Sequence, residues 1–269
     1  MEKADLAREL RAAVREHAWP LFGRIAPEDT TAKAHVEDLV TAADIAVEAH
    51  LTELLNERMP EAMVLGEEAV SRGEVRPADL MDAPLSVILD PVDGTWNFAH
   101  GLPMWGSILA VAEAGRPVLG MIHLPVLDLT LGAARGEGLF CYRGEAEAPV
   151  PPRMPKGAGI AGQIPLMLYP EEKRAGIAAA GLSMGRVGSW RCAAQEYVGL
   201  ATGAADYAIS CSLNAWDHAA GVLLTQESGG AARLMDGSEF VAGMKGGNLL
   251  CARSEAVWEE VAGVLGGAV

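Results

Sequence analysis

Apolar residues near the start of the chain recur at helical spacing. Four of them stand four positions apart, with charged residues between them, which predicts a helix over the first 22 residues: Leu6, Leu10, Val14 and Ala18. Pro27 and the polar stretch EDTTAK end this segment. The stretch DLVTAADIAVEAHLTELLNERMP predicts a second amphipathic helix, capped at Thr41 and stopped by Pro60.

Short apolar runs in the middle of the chain predict strands. AMVLGEEAV predicts a strand that ends in a turn carrying two glutamates, and LSVILD predicts a strand that ends at Asp90. WGSILAVAEAGRPVLGMIHLP predicts a hairpin, because two apolar runs are joined by Ala-Gly-Arg-Pro. LTLGAARGEGLFCYRG predicts further short strands with glycine turns.

A composition break at residues 145–159, EAEAPVPPRMPKGAG, predicts a surface loop between two lobes. After it, strands and helices are predicted in alternation: a strand over 164–168, a helix over about 173–180, then WRCAAQEYVGLATG (helix), ADYAIS (strand), AWDHAAGVLLTQESGG (helix), AARLM (strand) and a helix from Ser254. Alternation of this kind favours an α/β lobe. We expect an N-terminal lobe over 1–147 with an antiparallel sheet and the metal-binding motifs, a C-terminal α/β lobe over 148–269, and an active site between them.

Composition narrows the classes of protein that fit. With 269 residues and 50% hydrophobic residues the chain can bury a core, and it has no run of 18 apolar residues that predicts a membrane span. The charged start MEKADLAREL is not typical of a secretory signal, and four widely spaced cysteines read as free thiols, so we expect a cytoplasmic protein. A net charge of −15 disfavours nucleic-acid binding and requires any phosphate site to supply positive charge locally.

The stretch LDPVDGT is the first candidate for chemistry. Pro91 keeps Asp90 out of helical geometry, so the turn presents the Asp90 carboxylate, the Val92 carbonyl and the Asp93 carboxylate as neighbouring oxygens. Two carboxylates this close raise each other's pKa unless a cation lies between them, and such oxygens suit Mg²⁺, Mn²⁺ or Ca²⁺.

The residues that follow this turn suit an anion. Gly94 permits a sharp turn, and if a helix begins there the amides of Gly94 and Thr95 face an anion such as a phosphate ester. The alternative is a plain surface turn, since Asp-Pro and Asp-Gly are common turn residues. Trp96 and Phe98 place the turn against a core, where unpaired carboxylates are unusual.

Two further acidic positions each have two readings. Glu67 and Glu68 in LGEEAV follow an apolar strand, and they are either metal ligands or a solvated turn. Asp217 in NAWDHAAG stands near the start of an apolar helix, where it is either a metal ligand or a residue favoured by the helix dipole.

The chain resembles the inositol monophosphatase family of magnesium-dependent, lithium-sensitive sugar-phosphate phosphatases. The resemblance lies in four stretches that stand in the family's order: DLVTAAD (38–44), GEE, DPVDGTWNF and WDHAAG. The resemblance runs from about residue 5 to 265. It implies a fold of the α+β or α/β class, a layered αβαβα sandwich of the inositol monophosphatase and fructose-1,6-bisphosphatase type. It also implies a homodimer.

The resemblance implies roles by position. The metal ligands would be Glu67, Asp90, the Val92 carbonyl, Asp93 and Asp217, holding two or three Mg²⁺ ions, with Mn²⁺ also possible in their place. The catalytic residues that activate water would be Glu67, Thr95 and Asp44. The substrate-binding residues would include Gly94, Thr95, Ala193 and Asp217, and Lys33 would belong to a loop near the site.

The chain departs from the inositol-specific members of the family at two positions. Ser210 stands where those members carry a glutamate that binds ring hydroxyls, and Trp96 is bulky where many of them have a small residue. Arg191 is an additional cation on the expected substrate side. It is either a substrate-binding residue for a carboxylate or second phosphate, or a partner of an acid such as Glu196.

These patterns predict a Mg²⁺-dependent phosphatase that hydrolyses a small phosphate monoester, inositol-phosphate-like or a sugar or polyol phosphate, by metal-activated water. The alternatives within that class are histidinol-phosphate, fructose-bisphosphate and 3′-phosphonucleotide phosphatases. An alternative of another class is a protein partner of the transcription machinery with incidental phosphatase activity. A membrane partner is not expected.

Overall fold

A computed structural model describes residues 1–24, 30–32, 39–155, 157 and 159–269 of the chain. The helices are α1 Lys3–Ala13, α2 Ala42–Arg58, α3 Glu67–Ser71, α4 Thr95–Ala99, α5 Glu171–Met184, α6 Ala193–Thr202, α7 Ala215–Glu227 and α8 Glu255–Leu265. A π-helical turn over Val14–Ala18 extends α1, and 3₁₀ turns lie at Pro77–Met81, Pro125–Leu127 and Leu166–Leu168. In these described ranges, no helix is both long enough and apolar enough to cross a bilayer.

The strands of the described residues form three sheets. They are β1 Thr30–Ala32, β2 Leu39–Thr41, β3 Met63–Gly66, β4 Ser86–Asp93, β5 Gly106–Glu113, β6 Arg116–Leu124, β7 Leu129–Ala134, β8 Gly138–Arg143, β9 Ala146–Glu147, β10 Ile160–Gln163, β11 Gly185–Gly188, β12 Tyr207–Ser210, β13 Ala231–Leu234 and β14 Leu249–Ala252. β1 pairs with β2, β3 to β9 form a seven-stranded sheet in chain order, and the five-stranded sheet has the order β11-β10-β12-β14-β13.

The seven-stranded sheet is buried on both faces, and this explains the unbroken apolar run in β4. Val87 and Leu89 point into a core shared with α1 and α2. Ile88, between them, points into a second core that contains residues of α6 and α7. Side chains of successive strand residues face opposite ways, so one strand serves both cores.

The five-stranded sheet is also covered on both faces. Cys251 of β14 lies in the core that it shares with α7, whereas Leu250 lies in a third core with Ile177 of α5 and Trp258 of α8. The layers are therefore α1 and α2, the seven-stranded sheet, α6 and α7, the five-stranded sheet, and α5 with α8. This is the expected layered αβαβα sandwich.

Several element predictions need correction. The strand predicted over 164–168 is wrong, because the strand is Ile160–Gln163 and Pro165 precedes a 3₁₀ turn. Proline supplies no backbone N–H for a strand ladder, which accounts for the shift. The first sheet is antiparallel except that β3 runs parallel to β4. Five short strands were not predicted, and one of them, β9, lies in the stretch predicted as a surface loop: β1, β2, β9, β11 and β14. The turn predicted after β3 is the short helix α3.

Candidate active site

Strand β4 does not end at Asp90 but continues to Asp93, and all its residues are buried. Its pairing with β5 shifts register between these two aspartates. In a regular strand, residues three apart face opposite sides of the sheet. An irregularity in the ladder can re-aim a side chain, and here both carboxylates reach one place.

Three carboxylates converge beyond this shift. Oxygen atoms of Asp90, Asp93 and Asp217 all lie within 4.8 Å of one another. Asp90 is 2% exposed and Asp93 8% exposed. Within the described part of the chain, Asp90 Oδ1 is buried and accepts no hydrogen bond. We refer to these three residues as the carboxylate triad.

Burial and mutual repulsion govern the protonation of the triad. Burial raises the pKa of Asp90 well above its ordinary value, and the charges of Glu67, Asp93 and Asp217 raise it further. Burial, followed by the charge of Asp217, raises the pKa of Asp93 to about 6. The arrangement is therefore unfavourable as three free carboxylates and is suited to a divalent cation with oxygen ligands.

Asp217 comes to the triad from a distant part of the chain. It lies in the first turn of α7, which packs against β5 and β6 of the first sheet. Asn214, the residue before this helix, donates its side-chain amide to Asp217 Oδ2 over 3.1 Å. This contact orients the Asp217 carboxylate.

Glu67 and Glu68 begin α3 at the end of β3. Glu67 is partly buried, and its charge is the second largest cause of the raised pKa of Asp90, which places it beside the triad. Glu68 is buried, and its backbone N–H donates to Glu48 Oε2 over 2.8 Å. The Ala69 N–H donates to the other Glu48 oxygen over 2.8 Å. Buried Glu48 thus holds the first turn of α3, a role that the sequence did not predict.

The close approach of Glu48 explains why a glycine, Gly66, precedes this glutamate pair. A Cβ at this position would lie 2.2 Å from Glu48 Oε2, closer than any real contact. The backbone of β3 and the Glu48 carboxylate can therefore approach each other only when residue 66 has no side chain.

Thr95 and Asp44 lie together at the start of α4 and α2. Thr41 caps α2, as predicted, and Asp44 Oδ2 accepts hydrogen bonds from the Thr41 N–H at 2.8 Å and hydroxyl at 2.6 Å. The Thr95 hydroxyl lies 2.9 Å from the Val92 carbonyl oxygen and 3.5 Å from Asp44 Oδ1. A hydroxyl has one proton, so the shorter contact is its donor bond and Asp44 lies at the limit of hydrogen bonding.

Gly94 adopts a left-handed conformation, with φ of 80°, immediately before α4. A Cβ there would lie 3.0 Å from the Met104 carbonyl oxygen and from Cys192 Cβ. Both the turn and the close packing therefore favour glycine. The backbone of Gly94 and Thr95 is thereby fixed next to the carboxylate triad.

Helix α6 supplies contacts to Asp93 that sequence reasoning missed. Cys192, the residue before α6, places its thiol 3.0 Å from Asp93 Oδ2, and the Ala194 N–H donates to the same oxygen over 2.5 Å. The backbone N–H of Ala193 also lowers the Asp93 pKa through a hydrogen bond. Ala193, predicted as a substrate contact, therefore lies at the triad with its backbone directed to Asp93. No motif in the sequence signals Cys192.

Arg191 lies at the margin of the same site. It is exposed, has φ of 54°, and its guanidinium carbon lies 4.3 Å from the centroid of the Trp96 ring. Trp96 stacks on His100 with the ring centroids 4.2 Å apart. The neighbouring residue Trp190 accepts a hydrogen bond from the Asn97 amide over 2.9 Å, which ties this loop to α4.

Two other positions, Ser210 and His218, provide little information about the chemistry of the site. Ser210 is partly buried at the end of β12, where its hydroxyl donates to the Ser212 carbonyl over 2.8 Å. His218 is buried, donates from Nε2 to the Ser212 carbonyl and accepts at Nδ1 from the Tyr197 hydroxyl. His218 is thus a packing residue with both nitrogens engaged. Lys33 lies outside the described residues.

Comparisons with known proteins agree on one family. The model of the inositol monophosphatase family matches residues 3–265. A histidinol-phosphatase of Mycobacterium tuberculosis is 32% identical over 217 residues, which cover 78% of each chain. Among solved structures, an IMPase of Thermotoga maritima has a TM-score of 0.78 at 23% identity over 100% of both chains. An IMPase/NADP phosphatase complexed with Mg²⁺ and phosphate has a TM-score of 0.76 at 21% identity, over 97% of this chain and 92% of that one.

Proposed function

The chain belongs to the inositol monophosphatase family and is a phosphatase of that type, and from this we propose that it hydrolyses a small phosphate monoester with Mg²⁺ as its cofactor. The observation that carries the proposal is the convergence of Asp90, Asp93 and Asp217 at one buried point. These residues come from two elements, β4 and α7, that are far apart in the sequence.

The donor set fits a magnesium ion. Its atoms are carboxylate oxygens, which Mg²⁺ prefers, and no histidine or cysteine belongs to the group of ligand atoms found there among the described residues. Asp90 Oδ1 is buried without a hydrogen-bond partner in that same part of the chain, which a cation would remedy. We propose Asp90, Asp93, Asp217, Glu67 and the Val92 carbonyl as ligands of two or three ions, with Mn²⁺ as a possible substitute for Mg²⁺.

The bound cation would act as a Lewis acid toward the phosphoryl group and would make water more acidic. Thr95, Glu67 and Asp44 are the proposed catalytic residues that position the attacking water. The support for this is that the Thr95 hydroxyl lies between the Val92 carbonyl and Asp44, and that Glu67 adjoins Asp90. Asp44 is held by Thr41 and is thereby pre-oriented.

We propose that the backbone amides of Gly94 and Thr95 contact the phosphate, and that Ala193 and Asp217 adjoin the alcohol portion of the substrate. Support for the first assignment comes from the left-handed Gly94, which fixes the turn beside the triad. Support for the second comes from the position of Ala193 at the first turn of α6, where its N–H approaches Asp93.

Arg191 is proposed to bind an anionic group on the substrate, a carboxylate or a second phosphate. Its positive φ is uncommon for a residue with a side chain, and its stacking on Trp96 orients the guanidinium. A planar guanidinium held in this way suits bidentate binding of a carboxylate or second phosphate.

Histidinol phosphate is the second candidate substrate. Ser210 has a short hydroxyl that bonds the Ser212 carbonyl, so this position offers no carboxylate to inositol hydroxyls. The 32% identity to a histidinol-phosphatase over 78% of the chain supports histidinol phosphate as a candidate beside inositol phosphate.

Three further properties are proposals: lithium sensitivity and a homodimer, which the family resemblance implies, and a cytoplasmic location. The last is supported by four free cysteines, which are typical of proteins from reducing compartments.

Phosphate release from a panel of monoesters, with Mg²⁺ titrated and lithium added, tests the proposed function. The panel contains inositol 1-phosphate, histidinol phosphate, fructose 1,6-bisphosphate and a 3′-phosphonucleotide. We expect Mg²⁺-dependent release that lithium lowers and that Asp90→Asn abolishes. Normal hydrolysis by a well-folded Asp90→Asn protein would overturn the metal assignment. Absence of release from every ester would favour a role as a protein partner.

A further inference from the structure

A second group of metal-ligating side chains lies where the π-helical turn after α1 meets α2. Glu16, His17 and His50 each bring a ligand atom within 4.8 Å of the other two. The closest pair is His17 Nε2 and His50 Nδ1, which are 3.1 Å apart. None of the three residues belongs to the carboxylate triad or to the roles proposed above.

The backbone at this place is unusual in a way that serves the cluster. Val14–Ala18 is a π-helical turn, in which the Trp19 N–H bonds the Val14 carbonyl five residues back at 2.9 Å. Consecutive residues of a regular α-helix point about 100° apart. A wider π turn reduces that angle, which lets both Glu16 and His17 approach His50. Single π turns inside helices are frequently found at functional sites.

The chemistry of the three ligands differs from that of the triad. Two imidazole nitrogens and one carboxylate suit Zn²⁺ and other transition ions, whereas Mg²⁺ prefers oxygen ligands. Zn–N distances of about 2.0–2.1 Å in a tetrahedral site separate two ligand nitrogens by roughly 3.3 Å. The 3.1 Å between His17 and His50 is close to that edge length.

We propose that Glu16, His17 and His50 form a site for one transition-metal ion of the Zn²⁺ type, which cross-links the π turn to α2. Glu16 is exposed and both histidines are partly buried, so an ion can enter from solvent and keep water as a fourth ligand. The net charge of −15 raises the local concentration of cations at the surface.

Metal titration in a chain with the triad disabled tests the proposal. The background is the full-length Asp93→Asn, Asp217→Asn double variant, because the carboxylate triad could otherwise bind the added metal. Zn²⁺ affinity is measured by competition with a chromophoric chelator, and Co²⁺ is added separately to record the visible spectrum. We expect one Zn²⁺ per chain and the intense visible absorption of tetrahedral Co²⁺.

The variants then assign the ligands. His17→Gln and His50→Gln, each in that background, should weaken Zn²⁺ binding at least about tenfold, because even partners outside the ligand set commonly matter by 10–100-fold. Exposed His100→Gln is the matched control and should leave the affinity unchanged. If a histidine variant fails to fold, the variant of the exposed residue Glu16, Glu16→Gln, tests the site instead. It too should weaken Zn²⁺ binding. Failure of the background chain to bind Zn²⁺, or an affinity that none of these three changes alters, would overturn the site and leave a plain hydrogen bond between the two histidines.

Discussion

The thiol of Cys192 lies 3.0 Å from Asp93 Oδ2, although the two residues are 99 positions apart in the sequence. The Ala194 N–H donates to the same oxygen. Strand β4 therefore delivers the Asp93 carboxylate, and the start of α6 fixes its orientation. Both donors favour the ionised form of Asp93 and oppose the effect of burial on its pKa.

We predict that Cys192→Ala weakens metal binding, because the aspartate loses one of the donors that orient it. Residues that hydrogen-bond to a metal ligand typically contribute 10–100-fold to metal affinity or activity. The Mg²⁺ concentration that gives half-maximal phosphatase activity should rise by about tenfold. Cys192→Ser is the matched control, since its hydroxyl can still donate to Asp93. Equal Mg²⁺ requirements for the alanine variant and the original chain would show that the thiol only fills space.

Removing one charge from the triad should lower activity strongly without harming the fold. Metal-assisted charge stabilisation supplies several kcal/mol, and each 1.36 kcal/mol is a factor of ten in rate. Asp93→Asn or Asp217→Asn should therefore lower turnover at least about a hundredfold at saturating Mg²⁺. Without metal, the melting temperature of these variants should be no lower than that of the original chain, because one of the mutually repelling carboxylates is lost. Exposed Asp82→Asn is the control for the chemical change alone, and it should retain full turnover.

The carboxylates of the site could be predicted from the sequence, whereas the residues that hold them could not. Asp90 and Asp93 stand in one short motif that follows an apolar strand, so their proximity is a local property of the chain. Glu48 and Cys192 reach Glu68 and Asp93 only through packing of separate elements. No local pattern encodes such contacts, because they depend on how α2 and α6 lie against the first sheet.

The fold shows the same division between local and distant information. Strand β4 was predicted from its short apolar run, although its continuation from Asp90 to Asp93 was not. Strand β11, with the sequence GRVG, was missed because it contains one apolar side chain and two glycines. It exists because its backbone pairs in parallel with β10. In this ladder Gly185 pairs with Ile160, which stands 25 residues earlier in the chain.

A buried ion pair in the second half of the chain should be important for stability. Arg253 Nη1 lies 2.8 Å from Asp206 Oδ1, with the side chains 11% and 6% exposed, and Asp206 Oδ2 accepts the Ala161 N–H. Breaking a buried pair by removing one partner costs about 3–5 kcal/mol. We expect Asp206→Ala or Arg253→Ala to lower the free energy of urea unfolding by that amount.

The double variant supplies the control for this ion pair. Because Asp206→Ala with Arg253→Ala leaves no unpaired buried charge, its loss of unfolding free energy should be clearly smaller than the sum of the two single losses. Additive losses would mean that the two side chains stabilise the fold independently.

Buried His123 should make the protein less stable in acid. Burial lowers the pKa of His123 to about 4, and its Nδ1 lies 2.9 Å from the Thr130 hydroxyl. In the unfolded chain a histidine has a pKa of about 6.5, so below that pH the unfolded state binds the proton first and stability falls until about pH 4. At pH 4.5 this group should lower the free energy of unfolding by roughly 2–3 kcal/mol relative to pH 7.

Urea unfolding at pH 7 and pH 4.5 measures the effect of His123. In the His123→Gln variant, the difference in unfolding free energy between pH 7 and pH 4.5 should shrink by most of that amount, because glutamine does not titrate. The control is His100→Gln, a change at an exposed histidine, which should leave the difference as it is. An unchanged pH dependence in His123→Gln would contradict the assignment.

Adding one methyl group at Gly66 should damage both the fold and the activity. The new Cβ would lie 2.2 Å from Glu48 Oε2, and this carboxylate cannot withdraw without releasing the N–H groups of Glu68 and Ala69. Hydrogen bonds to a charged group contribute about 1.5–3 kcal/mol each. Gly66→Ala should therefore lower the free energy of unfolding by about 3 kcal/mol or more, measured in urea.

Activity should fall as well, because the released turn of α3 carries Glu67. Gly176→Ala is the matched control: this glycine lies inside α5 with no atom within 4 Å of its added Cβ, and alanine there should stabilise the helix by roughly 0.5–1 kcal/mol. Combining Gly66→Ala with Glu48→Ala removes the clash but also the acceptor of both N–H groups. The double variant should therefore regain little activity. Its loss of unfolding free energy should be smaller than the sum of the losses in the two single variants. Full activity in Gly66→Ala would mean that Glu67 keeps its position without Glu48, and that the buried carboxylate has no part in building the site.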